Sequence, residues 1–81
     1  MARVVPMPPF AAEYFGGREV LDVPAATIFD LVRALDAIGP GFAGRAETRV
    51  AFAVDGVLIA DWSSPLTEES EVLLVPRIAG G

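Results

Sequence analysis

Three of the residue types that often perform covalent chemistry are missing from this sequence. It contains no Cys, no His and no Lys. Their absence removes thiolate nucleophiles, disulfides, the common zinc ligands, the usual proton shuttle and the Schiff-base amine. Any covalent chemistry on this chain is therefore not expected of its side chains. What stands out instead is the ending, Val75-Pro76-Arg77-Ile78-Ala79-Gly80-Gly81. An apolar run is cut by a proline and finishes on two glycines, the residue type with most backbone freedom to lose on ordering. Taken alone, such an ending is either a frayed terminus or a tail that must be thin, and the dipeptide does not choose between them.

Charge and hydropathy point to a protein partner. Six Arg stand against 11 Asp plus Glu, a net charge of −5, so a phosphate backbone would be repelled and nucleic acid is not an expected ligand. Apolar residues make up 53% of the 81 and mean hydropathy is +0.51, high for a domain of this size. Such a composition leaves apolar surface for another protein to cover. No run of 18 apolar residues exists to cross a membrane, and the start, MARVVPMPPF, is not a secretory signal. A soluble cytoplasmic protein is expected.

Hydrophobic periodicity supplies the elements. Val4 to Phe10 is apolar enough for a strand, but Pro6, Pro8 and Pro9 remove donors from both flanks, so a short or irregular strand is expected. Ala11 to Phe15 suits a helical turn ended by Gly16-Gly17, and Arg18 to Val23 a second strand. Ile28, Leu31, Val32, Leu35 and Ile38 form the apolar stripe of an amphipathic helix over Thr27 to Ile38. Thr27 is its N-cap and Gly39-Pro40-Gly41 its stop. Phe42 to Thr48 reads as a loop. Arg49 to Val54 alternates as a strand, Asp55-Gly56 is a two-residue hairpin turn, and Val57 to Ala60 returns antiparallel. A polar connection, Asp61 to Ser70, leads to a last strand, Glu71 to Val75.

That last strand is apolar on both faces: Val72 and Leu74 point one way, Leu73 and Val75 the other. One helix covers one face of a sheet. The other face therefore needs a partner, unless segments 42–48 and 61–70 fold over it. Phe52 is expected in the core and Trp62 either there or at an interface.

The order strand, strand, helix, strand, strand, strand is that of a β-grasp, the ubiquitin-like α+β fold: a mixed sheet of about five strands with one main helix across one face. Several residue groups narrow it. Val54-Asp55-Gly56, then Pro65-Leu66, then Glu71-Val72 leading into Val75-Pro76-Arg77-Ile78-Ala79-Gly80-Gly81 resembles the sulfur-carrier family of the molybdopterin synthase small subunit (MoaD) and the thiamine carrier (ThiS). Phe10-Ala11 followed by a helical turn and Gly16 resembles the molybdopterin branch. The pattern departs from the family at Asp55, where Asn is common, at Glu69-Ser70, where a glycine is common, and at the three prolines of the first strand.

The resemblance implies a domain over residues 1–75 and a flexible tail over 76–81. It implies that the Gly81 carboxylate, with Gly80 before it, is adenylated by a ubiquitin-activating-type enzyme using ATP and converted to a thiocarboxylate. The sulfur would then pass to a pterin precursor in the large subunit of molybdopterin synthase. The chain would be no enzyme alone and would bind no cofactor or metal. Leu73, Val75, Arg77, Ile78 and Ala79 are the implied partner contacts, with Pro76 ending strand pairing and releasing the tail. Delivery to thiamine, cysteine or another product, a protein tag joined to lysines through Gly81, and a β-grasp binding module with inert glycines remain open alternatives.

Overall fold

The computed structural model describes residues 1–77. Strand β1 (Ala2–Pro6) is followed by a short helix α1 (Phe10–Tyr14), strand β2 (Leu21–Val23) and helix α2 (Ile28–Ile38). Helix α3 (Phe42–Thr48), the hairpin β3 (Val50–Val54) and β4 (Val57–Ile59), and β5 (Glu71–Pro76) complete the chain. The five strands form one mixed sheet in the order β2-β1-β5-β3-β4, with β1 and β5 parallel and the other neighbours antiparallel. This is the expected β-grasp.

The prolines do less damage to β1 than their number suggests. Arg3 and Met7 donate their N–H groups to β5 and its preceding turn, at Ser70 O (2.9 Å) and Leu74 O (3.0 Å). Alternation then aims the backbone of Pro6 at the other flank, where β2 has already ended opposite Val4. Its missing donor removes no ladder bond. The strand starts earlier than expected and stops before Pro8-Pro9, after which α1 turns back and ends at Gly16 (φ 61°) and Gly17 (φ 79°).

Helix α2 follows its stripe closely. Thr27 Oγ1 accepts from Asp30 N at 3.2 Å, and Trp62 O accepts from Phe29 N at 3.0 Å, so two of the orphan donors of the first turn are satisfied. Ile28, Leu31, Val32 and Leu35 are buried, but Ile38, expected to continue the stripe, is 45% exposed because the chain turns away at Gly39.

Residues 42–48, expected as a loop, are helical. Seven residues containing Gly44 cannot hold a helix by propensity, since isolated helices under about 12 residues are marginal and the glycine costs about 1 kcal/mol. Tertiary contacts supply the rest. Phe42 and Ala46, one turn apart, are fully buried, and burying a phenyl ring contributes about 2–3 kcal/mol. The Phe42 ring packs on Phe15 (centroids 5.3 Å apart) and edge-on to Tyr14 (5.7 Å). Asp36 Oδ1, reaching from α2, accepts from Gly41 N (3.1 Å) and Ala43 N (2.9 Å), capping α3 from outside its own sequence.

All three helices contribute to one apolar cluster with Ala2, Val4, Leu21, Val23, Val50, Phe52, Val72 and Leu74 from the sheet. Gly39 closes the contact between α1 and the end of α2. An added Cβ there would collide with the Tyr14 carbonyl oxygen and lie 2.8 Å from Tyr14 Cβ. Gly39→Ala is therefore expected to lower unfolding free energy by about 1–3 kcal/mol, read as a reduced urea midpoint. Gly44→Ala, with open space around it, should raise stability by up to about 1 kcal/mol.

Candidate functional site

The alternation of the strands divides the sheet into two unlike faces. The helix side is sealed by the cluster just described. On the other side lie Val5 of β1, Ala51 and Ala53 of β3, Leu58 of β4, and Leu73 and Val75 of β5. Among the described residues no helix crosses them, and segments 42–48 and 61–70 do not fold over them. Helix α3 places Phe42 and Ala46 in the helix-side core, and Leu66 and Trp62 pack there as well. Leu73 and Val75 are each half-buried by their neighbours within the sheet, and the Ala51 and Ala53 side chains between them and Leu58 are small. The result is a shallow apolar surface with Arg3, Asp22, Glu71 and Arg77 at its margins. The sequence placed Leu73 and Val75 here. It also put Ala51 and Ala53 on this face, but two small residues carried no sign that they floor a contact surface.

Strand β5 lies at the centre of the sheet. Its pairing runs further than the proline suggested: Pro76 pairs opposite Val50, and Arg77 N donates to Arg49 O at 2.9 Å. The hydrogen-bonded pairs along β3 and β5 are those of Arg49 with Arg77, Ala51 with Val75, Ala53 with Leu73 and Asp55 with Glu71. Pro76 thus occupies a position that donates nothing to β3, which is why it does not end the strand. Arg77 is exposed, with Nη1 3.3 Å from Glu47 O. The remaining candidates, Ile78, Ala79, Gly80 and Gly81, lie outside the described residues.

The departures from the family pattern each find a structural use. Asp55 takes the left-handed conformation of the hairpin turn (φ 50°), and its Oδ1 accepts from Glu71 N at 2.9 Å, tying the turn to the start of β5. Asn would supply the same acceptor. Ser70 is buried, and its Oγ accepts from Thr67 N at 2.9 Å, closing the turn with a side chain. Phe52 is in the core as expected. Trp62 is half-buried, packed edge-on to Phe52 (5.7 Å) and Phe29 (5.4 Å).

Among the described residues no cluster of acidic side chains could hold a metal ion, and no helix is long and apolar enough to cross a membrane. One carboxyl is perturbed. Ser63 Oγ (2.7 Å) and then Ser63 N (2.9 Å) donate to Asp61 Oδ1 and hold that group below the ordinary carboxylate range. A folded-state value below the unfolded one stabilises the fold at neutral pH, an effect lost as pH falls through the depressed value. Ser63→Ala should return Asp61 toward the ordinary range, which NMR titration of its side chain would detect. Leu73→Asp and Val75→Asp, on the uncovered face, should leave the fold intact by circular dichroism while abolishing association with any partner that docks there.

Comparison with known proteins follows the same line. The chain resembles the crystal structure of CysO, an antigen, from Mycobacterium tuberculosis, with a TM-score of 0.83 and 14% identity over 96% of this chain and 100% of that one. It resembles a chain in the Amycolatopsis orientalis BexX/CysO complex with a TM-score of 0.81 and 16% identity over 100% of both. SAMP1 from Haloferax volcanii aligns at 0.78 and 19% over 99% of this chain and 98% of that one. These likenesses establish the fold. No curated protein matches the sequence. The model of the ThiS family matches residues 10–81, nearly the whole chain, and the protein belongs to that family of β-grasp sulfur carriers.

Proposed function

We propose that the protein carries sulfur on its own C-terminus, as the small, non-enzymatic subunit of molybdopterin synthase in the cytoplasm. The observation that carries this reading is the uncovered apolar face whose central strand, β5, runs directly into the segment ending in Gly80-Gly81. A partner seated on Leu73 and Val75 has the tail leading from the same strand. An α-carboxylate, with an ordinary pKa of roughly 3.5, is ionised at neutral pH and is a poor electrophile. An activating enzyme of the ubiquitin-activating type would join the Gly81 carboxylate to the α-phosphate of ATP, releasing pyrophosphate. A sulfide nucleophile then adds to the acyl carbon and AMP departs, leaving the thiocarboxylate. Gly80 and Gly81 have no Cβ, so the backbone of an enzyme channel can close around them, while Ile78 and Ala79 contact its mouth and Arg77 an acidic group at its entrance.

The helical turn Phe10–Tyr14 with Gly16 behind it supports the pterin precursor, held in the large subunit, as sulfur acceptor. The match to the ThiS family favours the second reading, delivery to thiamine or another sulfur-containing product. Intact-mass measurement after incubation with the activating enzyme, ATP and a sulfide donor should show one oxygen exchanged for sulfur. An unchanged mass, or attachment to other proteins, would reject the carrier reading. Deleting Gly81 should abolish the exchange with no change in melting temperature. Adding the thiocarboxylated chain to the large subunit with pterin precursor, and separately to thiamine-forming enzymes, identifies the acceptor by which one consumes the sulfur.

A further inference from the structure

The pairing of β5 stops on both flanks at the same level, and other elements of the fold stop it. On the β3 side the last bond runs from Arg77 N to Arg49 O (2.9 Å). An antiparallel hydrogen-bonded pair exchanges two bonds, but Arg49 gives its own N–H to Arg45 O (2.7 Å) as the C-cap of α3, and Thr48 before it is helical. On the β1 side the last bond runs from Met7 N to Leu74 O (3.0 Å). The next position of that parity is Pro9, which has no N–H and is the N-cap of α1. The carbonyls at this level are also engaged by α1, Met7 O accepting from Phe10 N (2.9 Å) and Pro9 O from Glu13 N (3.1 Å). Among the described residues neither neighbour offers β5 a further rung past Arg77. The Arg77 side chain adds a tie of its own, from Nη1 to Glu47 O (3.3 Å) in the last turn of α3. Sheet ladder and helix end thus hold the same residue.

We propose that Arg77 is a positioning residue that sets the reach of the C-terminus, so that the enzyme centre modifying Gly81 lies about 14 Å from it, at the end of a channel that four extended residues fill. This rests on the sulfur-carrier reading and names the shape of partner site that the reading requires. Four residues, Ile78 to Gly81, follow Arg77. Fully extended, they span at most about 14 Å. A deeper centre is out of reach of the acyl carbon. A shallower one needs slack chain, and a channel that closes on Gly80 and Gly81 without room for a Cβ has no width for a bent backbone. Loss of the bond to Arg49 would move the last bond to β3 back to Val75, opposite Ala51, and lengthen the free end by two residues, about 7 Å.

The test uses the full chain and follows the initial rate of sulfur loading by the activating enzyme, with ATP and a sulfide donor, against carrier concentration. Deleting Ala79 should lower kcat about a hundredfold and change KM less than about threefold, because docking on the sheet face is kept while the acyl carbon stands one residue short. Inserting one glycine between Arg77 and Ile78 of that deletion restores the length and should recover at least about tenfold of the loss. Arg77→Pro, which removes the donor to Arg49 O, should cost at least about tenfold more in kcat than Arg77→Ala, which keeps it. In the unaltered chain the Arg77 amide should exchange at least about tenfold more slowly than an unpaired amide, a readout that covers the case in which the proline variant fails to fold. A freely exchanging Arg77 amide, a deletion that loads at the full rate or is not recovered by the glycine, or equal costs from the two Arg77 variants would each overturn the proposal. If the unaltered chain takes up no sulfur, the carrier reading falls and this inference with it; if it loads and the length variants load equally, this inference alone falls.

Discussion

The structure depends on a central strand that is apolar on both sides while, among the described residues, the helices cover only one. Strand β5 is held between β1 and β3, so its backbone is paired on both edges. On the helix side Val72 and Leu74 are fully buried. On the other side Leu73 and Val75 are half-buried, with only in-sheet neighbours beside them among the described residues. Among the described residues the helices form one layer, on the side of Val72 and Leu74, and the apolar surface opposite is the one proposed for association.

The same economy explains how the helical layer is held together. Neither α1 nor α3 is long enough to persist alone. They are fixed by the rings of Tyr14, Phe15 and Phe42 and by the Asp36 carboxylate that reaches across from α2. The connection after β4 is pinned in turn by Trp62 O and by the bond from Leu66 N to Ala26 O (2.8 Å), both at the start of α2. Helix α2 therefore organises the segments on either side of it, and among the described residues no helix covers the sheet face away from it. The surface proposed for recognition thus lies on a rigid strand, where its geometry is set by ladder bonds and not by loop conformation.

Much of this was legible because it is written in local periodicity. The stripe Ile28, Leu31, Val32, Leu35 defines α2, Thr27 caps it, and Val50, Phe52 and Val54 with Asp55-Gly56 define the hairpin. Helix α3 was not legible, since its cap comes from Asp36, outside the segment, and its two buried residues are separated by Ala43, Gly44 and Arg45. The i, i+4 spacing of Phe42 and Ala46 was the available signal, too short to outweigh a glycine-flanked segment. Ile38 failed for the opposite reason: periodicity continues through it, but the chain turns at Gly39 before the core reaches that far.

By itself the sequence determined the class of fold, the two-faced last strand, the lack of Cys, His and Lys and the family pattern at the C-terminus, because each is a matter of residue type and short-range spacing. Tertiary structure alone decided which face stays open, that Pro6 and Pro76 fall where no ladder bond needs their missing donors, and that the pairing of β5 runs on to Arg77. Those depend on register and on which neighbour a strand bonds to. Both are set by the packing of segments far apart in the chain.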